Sequence, residues 1–232
     1  MLQISEVFYS IQGEGIYQGI PTVFVRFAGC NLIPTHCVWC DTSYAWNPED
    51  GKEVSIEDVV KEVSRLSPYY KSWICITGGE PLWQRDELEE LVRGLKVGGY
   101  LITVETNGSY KPPRWYTLVD SWNADIKCPS SGVCGVSSEA WFNTRQQDQL
   151  KFVCGNMEDL EFTRNMLNKH KADSPTILVS PVTGILVNKK EETWEEYWNK
   201  EWLREVAEFC KEEKVRYSLQ WHKIIWGNRK GV

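Results

Sequence analysis

At 232 residues the chain is long enough for one domain with a sizeable core and short for two. Hydrophobic residues at 42% and charged residues at 25% exclude a fibrous, collagen-like or disordered polypeptide. A formal net charge of −6 argues against the basic face that a nucleic-acid partner requires.

No window approaches the roughly 18 unbroken apolar residues that a membrane span needs. The opening MLQISEVFYSIQGEG lacks both the basic start and the long apolar middle of a secretion signal. The expected location is therefore cytoplasmic, and the eight Cys read as thiols or metal ligands rather than disulfides.

Apolar runs alternate with helix-period segments along the chain. Thr22–Phe27, rich in Val and Phe, reads as the first strand. Ile56, Val59, Val60, Val63 and Leu66 then recur at helical spacing, with Ser55 as N-cap. A strand at Trp73–Thr77 precedes a helix carrying Leu88, Leu91, Val92 and Leu95, which Gly98–Gly99 ends. Strands follow at Tyr100–Glu105 and, more weakly, between Tyr116 and Lys127. Leu150–Cys154, a helix marked by Met157, Leu160 and Leu167, and Thr176–Ser180 continue the alternation. Trp194, Trp198 and Trp202 fall at i, i+4 and i+8 and read as one helix stripe, for core packing or a dimer interface, beside a solvated acidic face around 191–196. A helix with Leu203, Val206, Ala207, Phe209 and Cys210 and a strand at Val215–Leu219 close the chain.

This order predicts a mainly parallel sheet, with polar and Gly-rich turns just after several strands. Those turns are Gly78-Gly79-Glu80-Pro81, Thr106-Asn107-Gly108, Ser180-Pro181 and Gln220-Trp221-His222. In barrel-like α/β folds that edge carries the active site.

Cys30, Cys37 and Cys40 lie within eleven residues directly after a strand. Thiolates suit iron–sulfur clusters and zinc. A structural zinc with His36 as fourth ligand is one reading; a 4Fe–4S cluster with one iron left open is the other. The remaining five Cys (75, 128, 134, 154 and 210) lack such clustering and read as structural.

The cysteine triad together with Gly78-Gly79-Glu80-Pro81 resembles the radical S-adenosylmethionine superfamily. Ser10-Ile11-Gln12-Gly13-Glu14-Gly15, Arg26, Cys40-Asp41-Thr42, Glu105-Thr106-Asn107-Gly108, the run Asp125–Gly132 and Gln220-Trp221-His222-Lys223 narrow the resemblance to the 7-carboxy-7-deazaguanine synthase family. These motifs span nearly the whole chain.

The resemblance implies an abbreviated TIM-like barrel acting as a homodimer. It implies conversion of 6-carboxy-5,6,7,8-tetrahydropterin into 7-carboxy-7-deazaguanine and ammonia, a ring contraction on the route to deazapurines such as queuosine. S-adenosylmethionine is used catalytically, with Mg2+ and an electron donor such as flavodoxin or ferredoxin. By similarity Cys30, Cys37 and Cys40 hold the cluster and Thr42 the Mg2+, with Asp41 nearby. Ile11, Gln12, Gly13, Glu14, Arg26, Thr77 and His222 meet the substrate. Gly79, Glu80, Glu105, Asn107, Lys127, Cys128, Pro129, Ser130 and Ser180 meet S-adenosylmethionine. The donor and acceptor mixture of Gln12, Glu14 and Arg26 suits a pterin's amide edge and carboxylate.

Six residues separate Cys30 from Cys37 and two separate Cys37 from Cys40, in place of the superfamily's usual three and two. The inserted loop leaves His36 without an assigned role. Beyond Lys223 the chain runs on through Ile224 to Val232, so whether the last residue reaches the substrate stays open. Two rivals share part of these features: a radical enzyme that activates a partner protein, and a non-catalytic zinc-binding module.

Overall fold

A computed structural model describes residues 1–67, 71–170, 175–183, 186–188, 193–195, 199–227 and 229–232. Its main sheet runs parallel from β2 (Pro21–Phe27) through β4 (Trp73–Gly78), β5 (Leu101–Thr106), β6 (Ser121–Ile126), β7 (Gln149–Cys154) and β8 (Thr176–Pro181) to β11 (Arg216–Tyr217). Two antiparallel strands complete the other edge. β1 (Leu2–Ile11) pairs with β2 and, at its start, with β3 (Lys52–Val54). A separate ribbon joins β9 (Leu186–Asn188) to β10 (Thr193–Glu195).

The crossovers carry α1 (Ile56–Leu66), α2 (Arg85–Val97), α3 (Met157–His170) and α4 (Lys200–Glu213), and a short α5 (Trp221–Trp226) follows the last strand. Between β5 and β6, and between β6 and β7, only 3-10 turns make the crossing. The result is an α/β fold with a mostly parallel sheet, a partial TIM-like barrel.

Period-2 alternation divides each parallel strand between two faces. Val23, Val25 and Phe27, Ile74 and Ile76, Ile102 and Val104, Trp122 and Ala124, and Leu150 and Phe152 enter the apolar core under the helices. The intervening positions include Arg26, Thr77, Glu105, Asp125 and Lys151 on the opposite face, beside the apolar Phe24 and Cys75. A hydrophobic side chain buried in that core contributes about 1.5–3 kcal/mol. A polar one there would need a buried partner. The polar residues therefore collect on the concave side.

The local signals agree with the elements they predict. Ser55 Oγ accepts the Asp58 amide at 3.1 Å and caps α1. At the end of α2, Gly99 turns the chain at φ +78°, and the Tyr100 amide closes back on the Leu95 carbonyl at 3.3 Å. The last strand is shorter than expected, Arg216–Tyr217 rather than Val215–Leu219.

Two expectations need correcting. β1 escaped the sequence reading because its pairing register shifts between Ile4 and Glu6, which breaks the alternation of LQISEVFYSI. The tryptophan stripe is not helical: Trp194 lies in β10 and Trp202 in α4, and Trp198 lies outside the described residues. The acidic stretch around 191–196 falls partly outside them too. Helical spacing alone could not reveal the intervening ribbon.

Candidate active site

The C-terminal strand ends and the loop after β2 enclose a cavity of about 240 Å³. Fifteen of the residues singled out in the sequence line it: Ile11, Gln12, Gly13, Glu14, Arg26, Cys30, Cys37, Cys40, Thr42, Thr77, Gly79, Glu105, Asn107, Lys127 and His222. They come from both ends of the chain. The β2–β4 register sets Arg26 beside Thr77, and the β6–β7 register sets Asp125 beside Lys151.

Within the cavity, the Gln12 amide donates to Glu105 Oε1 at 3.2 Å, and Thr77 Oγ1 donates to Glu105 Oε2 at 2.9 Å. The Gln12 side-chain oxygen accepts the Glu14 amide at 3.1 Å. Glu14 in turn accepts from Gln220 at 2.7 Å and pairs with the Lys151 ammonium. Lys151 also reaches Asp125 at 3.3 Å, which holds Lys127 at 2.6 Å. A chain of alternating charges thus runs Glu14–Lys151–Asp125–Lys127 across the cavity floor.

This arrangement shifts the acids in opposite senses. Burial alone would raise the Glu14 carboxyl, but Lys151 and His222 overcome it and pull the group well below the usual carboxylate range. Glu105 goes up, through burial and the neighbouring Glu14 charge. Lys151 is held well above its ordinary value: burial works against the ammonium, and Asp125, Glu14 and Glu105 outweigh it. At the far side, Asp41 meets Lys223 at 3.1 Å and His222 at 3.6 Å. Burial raises that carboxyl, yet Lys223 and His222 carry it well below the usual range.

Arg26 donates from Nε to Glu6 at 2.7 Å, and Tyr44 donates its hydroxyl to the same oxygen at 2.9 Å. One edge of the guanidinium is thereby fixed.

Five of the expected residues do not line the cavity. Glu80 is fully buried and accepts from the Leu82 amide at 2.9 Å, Thr106 Oγ1 at 2.8 Å and the Asn107 amide at 2.6 Å. It ties the glycine turn to the end of β5 from beneath. Ser130 bonds Asp159 through its amide and its hydroxyl. Cys128 is buried beside the Ile126 carbonyl, and Pro129 opens the following 3-10 turn. The Ser180 hydroxyl is buried at the end of β8 without a partner.

Sequence reasoning missed Lys151, Tyr44 and Glu6, and named Gln220 only as part of its motif, without a role. For Lys151 the signal was available, since in QLKFVC the polar Gln149 and Lys151 occupy alternate positions of an otherwise apolar strand. Val232 also lines the cavity.

The residues fit the cofactors that such a motif set implies. Three thiols line one wall of the cavity, a donor set suited to an iron–sulfur cluster. Among the described residues no three His, Cys, Asp or Glu side chains stand gathered around a single-ion site, the cysteine triad included. His36 instead stacks on Trp46 at 3.7 Å. At the adjoining glycine turn, a Cβ on Gly79 would overlap the Gly29 carbonyl oxygen. That residue must be glycine, and its bare backbone faces the cavity.

Comparison with known proteins agrees with this geometry. The Radical SAM superfamily model matches residues 24–122, a span that includes the cysteine triad, the glycine turn and Glu105–Asn107. The 7-carboxy-7-deazaguanine synthase of Pyrobaculum aerophilum is 34% identical over 99% of this chain and 97% of its own length. The chain belongs to the 7-carboxy-7-deazaguanine synthase family. The family's Methanospirillum hungatei JF-1 member is 37% identical over 79% of this chain and 74% of its own. Among solved structures, QueE from Escherichia coli superposes with a TM-score of 0.67 at 23% identity, covering 94% of this chain and 93% of that one. Membership implies a 4Fe–4S cluster and S-adenosylmethionine as resident cofactors and a small-molecule substrate. No helix among the described residues is long and apolar enough to cross a membrane.

Proposed function

We propose that this chain carries out the reaction of its family, converting 6-carboxy-5,6,7,8-tetrahydropterin to 7-carboxy-7-deazaguanine and ammonia. The observation that carries the proposal is one cavity joining three thiols to a wall of paired pterin-type donors and acceptors.

In this reading Cys30, Cys37 and Cys40 hold the cluster, while Gly79, Asn107, Glu105 and Lys127 face S-adenosylmethionine. When bound, these two groups supply the one-electron chemistry that starts the ring contraction. The protein's own residues bind and orient. Gln12, Glu14 and Thr77 address the amide and amino edge of the pterin, and Gln12 and Thr77 are tied to the cofactor-side Glu105 by bonds of 3.2 and 2.9 Å. Arg26, with one edge fixed by Glu6, presents the rest of its guanidinium to the carboxylate. His222 stands between Glu14 and Asp41, within 4.0 and 3.6 Å, and closes the wall from α5. Glu80 and Ser130 act from behind the surface, by fixing the turns that carry Gly79 and Lys127.

Mg2+ at Thr42 completes the proposal: a hydroxyl oxygen beside the carboxylate-binding wall is the hard ligand that ion takes alongside retained water. The homodimer and a flavodoxin- or ferredoxin-type donor also belong to it and rest on the resemblance alone.

The test is anaerobic incubation of the reconstituted chain with the pterin, dithionite and S-adenosylmethionine, analysed for product. The deazapurine should accumulate and require all three additions. Reductive cleavage of S-adenosylmethionine without any deazapurine would overturn the substrate assignment.

A further inference from the structure

We infer that Trp46 sets the reduction potential of the cluster by donating its indole N–H to the Cys40 sulfur; this rests on the reading that Cys30, Cys37 and Cys40 are the cluster ligands. Trp46 follows a 3-10 turn at Ser43–Ala45 and touches the triad twice. Its Nε1 donates to Cys40 Sγ at 3.2 Å, and its backbone carbonyl accepts the Cys30 amide at 2.8 Å. The adjoining Ala45 carbonyl accepts the Gly29 amide at 2.9 Å, so the turn is strapped to the start of the cysteine loop.

The donor is aimed by its surroundings. The indole lies face to face with His36, 3.7 Å between centroids and 6° from parallel. His36 belongs to the lengthened segment between Cys30 and Cys37. The extra residues that distinguish this triad thus deliver an imidazole to the ring whose edge touches the third thiol. Two further side chains approach the triad: the Thr42 hydroxyl lies 3.5 Å from Cys40 Sγ, longer than the indole contact, and the Asn107 amide stands 3.9 Å from Cys30 Sγ.

A hydrogen bond to a ligating sulfur withdraws electron density from it. Reduction adds negative charge to the cluster, and the bond stabilises that charge, so the potential rises. Trp46 is thereby a positioning and tuning residue, not a catalytic one. One electron from an external reductant enters the cluster and no proton is transferred in that step.

The test uses the full chain, reconstituted anaerobically and titrated with dithionite against redox mediators while the reduced cluster is followed by electron paramagnetic resonance. Trp46→Phe keeps a ring for His36 to stack on and removes only the N–H. Iron and sulfide content should match the unmodified protein, while the reduction equilibrium falls about tenfold, a shift of about 59 mV to lower potential for one electron. An intact cluster at unchanged potential would overturn the inference. Should Trp46→Phe fail to retain a cluster, His36→Leu keeps the indole and frees its orientation. A downward shift there supports the inference, and an unchanged potential refutes it. Failure of the unmodified chain to take up any cluster would instead sink the ligand reading on which all of this stands.

Discussion

Replacing Lys151 with Met isolates the contribution of the buried charge chain. The Lys151 side chain is 10% exposed and that of its partner Glu14 12%, so water screens the pair only weakly. Met has a similar length and keeps the apolar stem. The change leaves Glu14 with only Gln220 and His222, while Asp125 retains Lys127. Breaking one side of a buried pair costs about 3–5 kcal/mol, because the remaining carboxylate is stranded. For a chain of this size each kcal/mol moves the melting temperature by roughly 2–4 °C, which sets the expected drop at roughly 6–20 °C.

The pH dependence has a definite sign. Glu14 is held below its ordinary range in the folded state by Lys151 and His222 against burial. Its contribution to stability is therefore complete above about pH 4.3, the ordinary glutamate value, and is lost as pH falls below that through the depressed native value. In Lys151→Met most of the pull is gone, so the deficit should be largest at neutral pH and shrink in acid. Urea unfolding at pH 7 and at pH 4 measures it. Adding Glu14→Gln to Lys151→Met should recover much of the loss, since no charge is then stranded. A neutral-pH deficit below about 1 kcal/mol, or one that grows on acidification, would refute the pairing argument.

Two further changes probe the turn beneath the cavity. Gly79→Ala drives a Cβ into the Gly29 carbonyl, and backbone cannot yield as a flexible side chain does; about 1–3 kcal/mol of stability and the binding of S-adenosylmethionine should be lost together, read by thermal melting and isothermal titration. Glu80→Gln tests a pH effect of the opposite sense. Burial outweighs the Asn107, Leu82 and Thr106 hydrogen bonds and raises this carboxyl to about 7, so ionising it in the folded chain costs roughly 3 kcal/mol, a penalty that accrues as pH rises from about 4.3, the ordinary glutamate value, and is complete above about 7. The stability gap between the unmodified chain and Glu80→Gln should accordingly narrow from pH 5 to pH 8 in urea titrations, and a widening gap would contradict the assignment.

Much of the fold was legible because parallel strands buried on one face leave dense apolar runs. Trp73–Gly78 and Leu101–Thr106 sit within a residue of where composition puts them. The antiparallel edge was not, since β1 carries Glu6, Tyr9 and Ser10 and shifts register midway. Spacing within one segment reveals elements, but it is blind to which segments the sheet brings side by side.

The site shows the same division. Cysteines and glycines announce themselves locally, because a metal centre needs thiols close in sequence and a tight turn needs a residue without a Cβ. Lys151 announces locally only a polar position in an apolar strand, for its partners are Asp125 on the neighbouring strand and Glu14 more than a hundred residues earlier. Glu80 carries the converse lesson. Its motif marks it as a ligand residue, yet all three of its hydrogen bonds turn inward to hold Leu82, Thr106 and Asn107. In this chain the acid of the glycine turn shapes the surface from beneath, and Gly79 is what the cavity meets. A motif thus identifies where the backbone must be held, and only the packing tells which of its side chains does the holding.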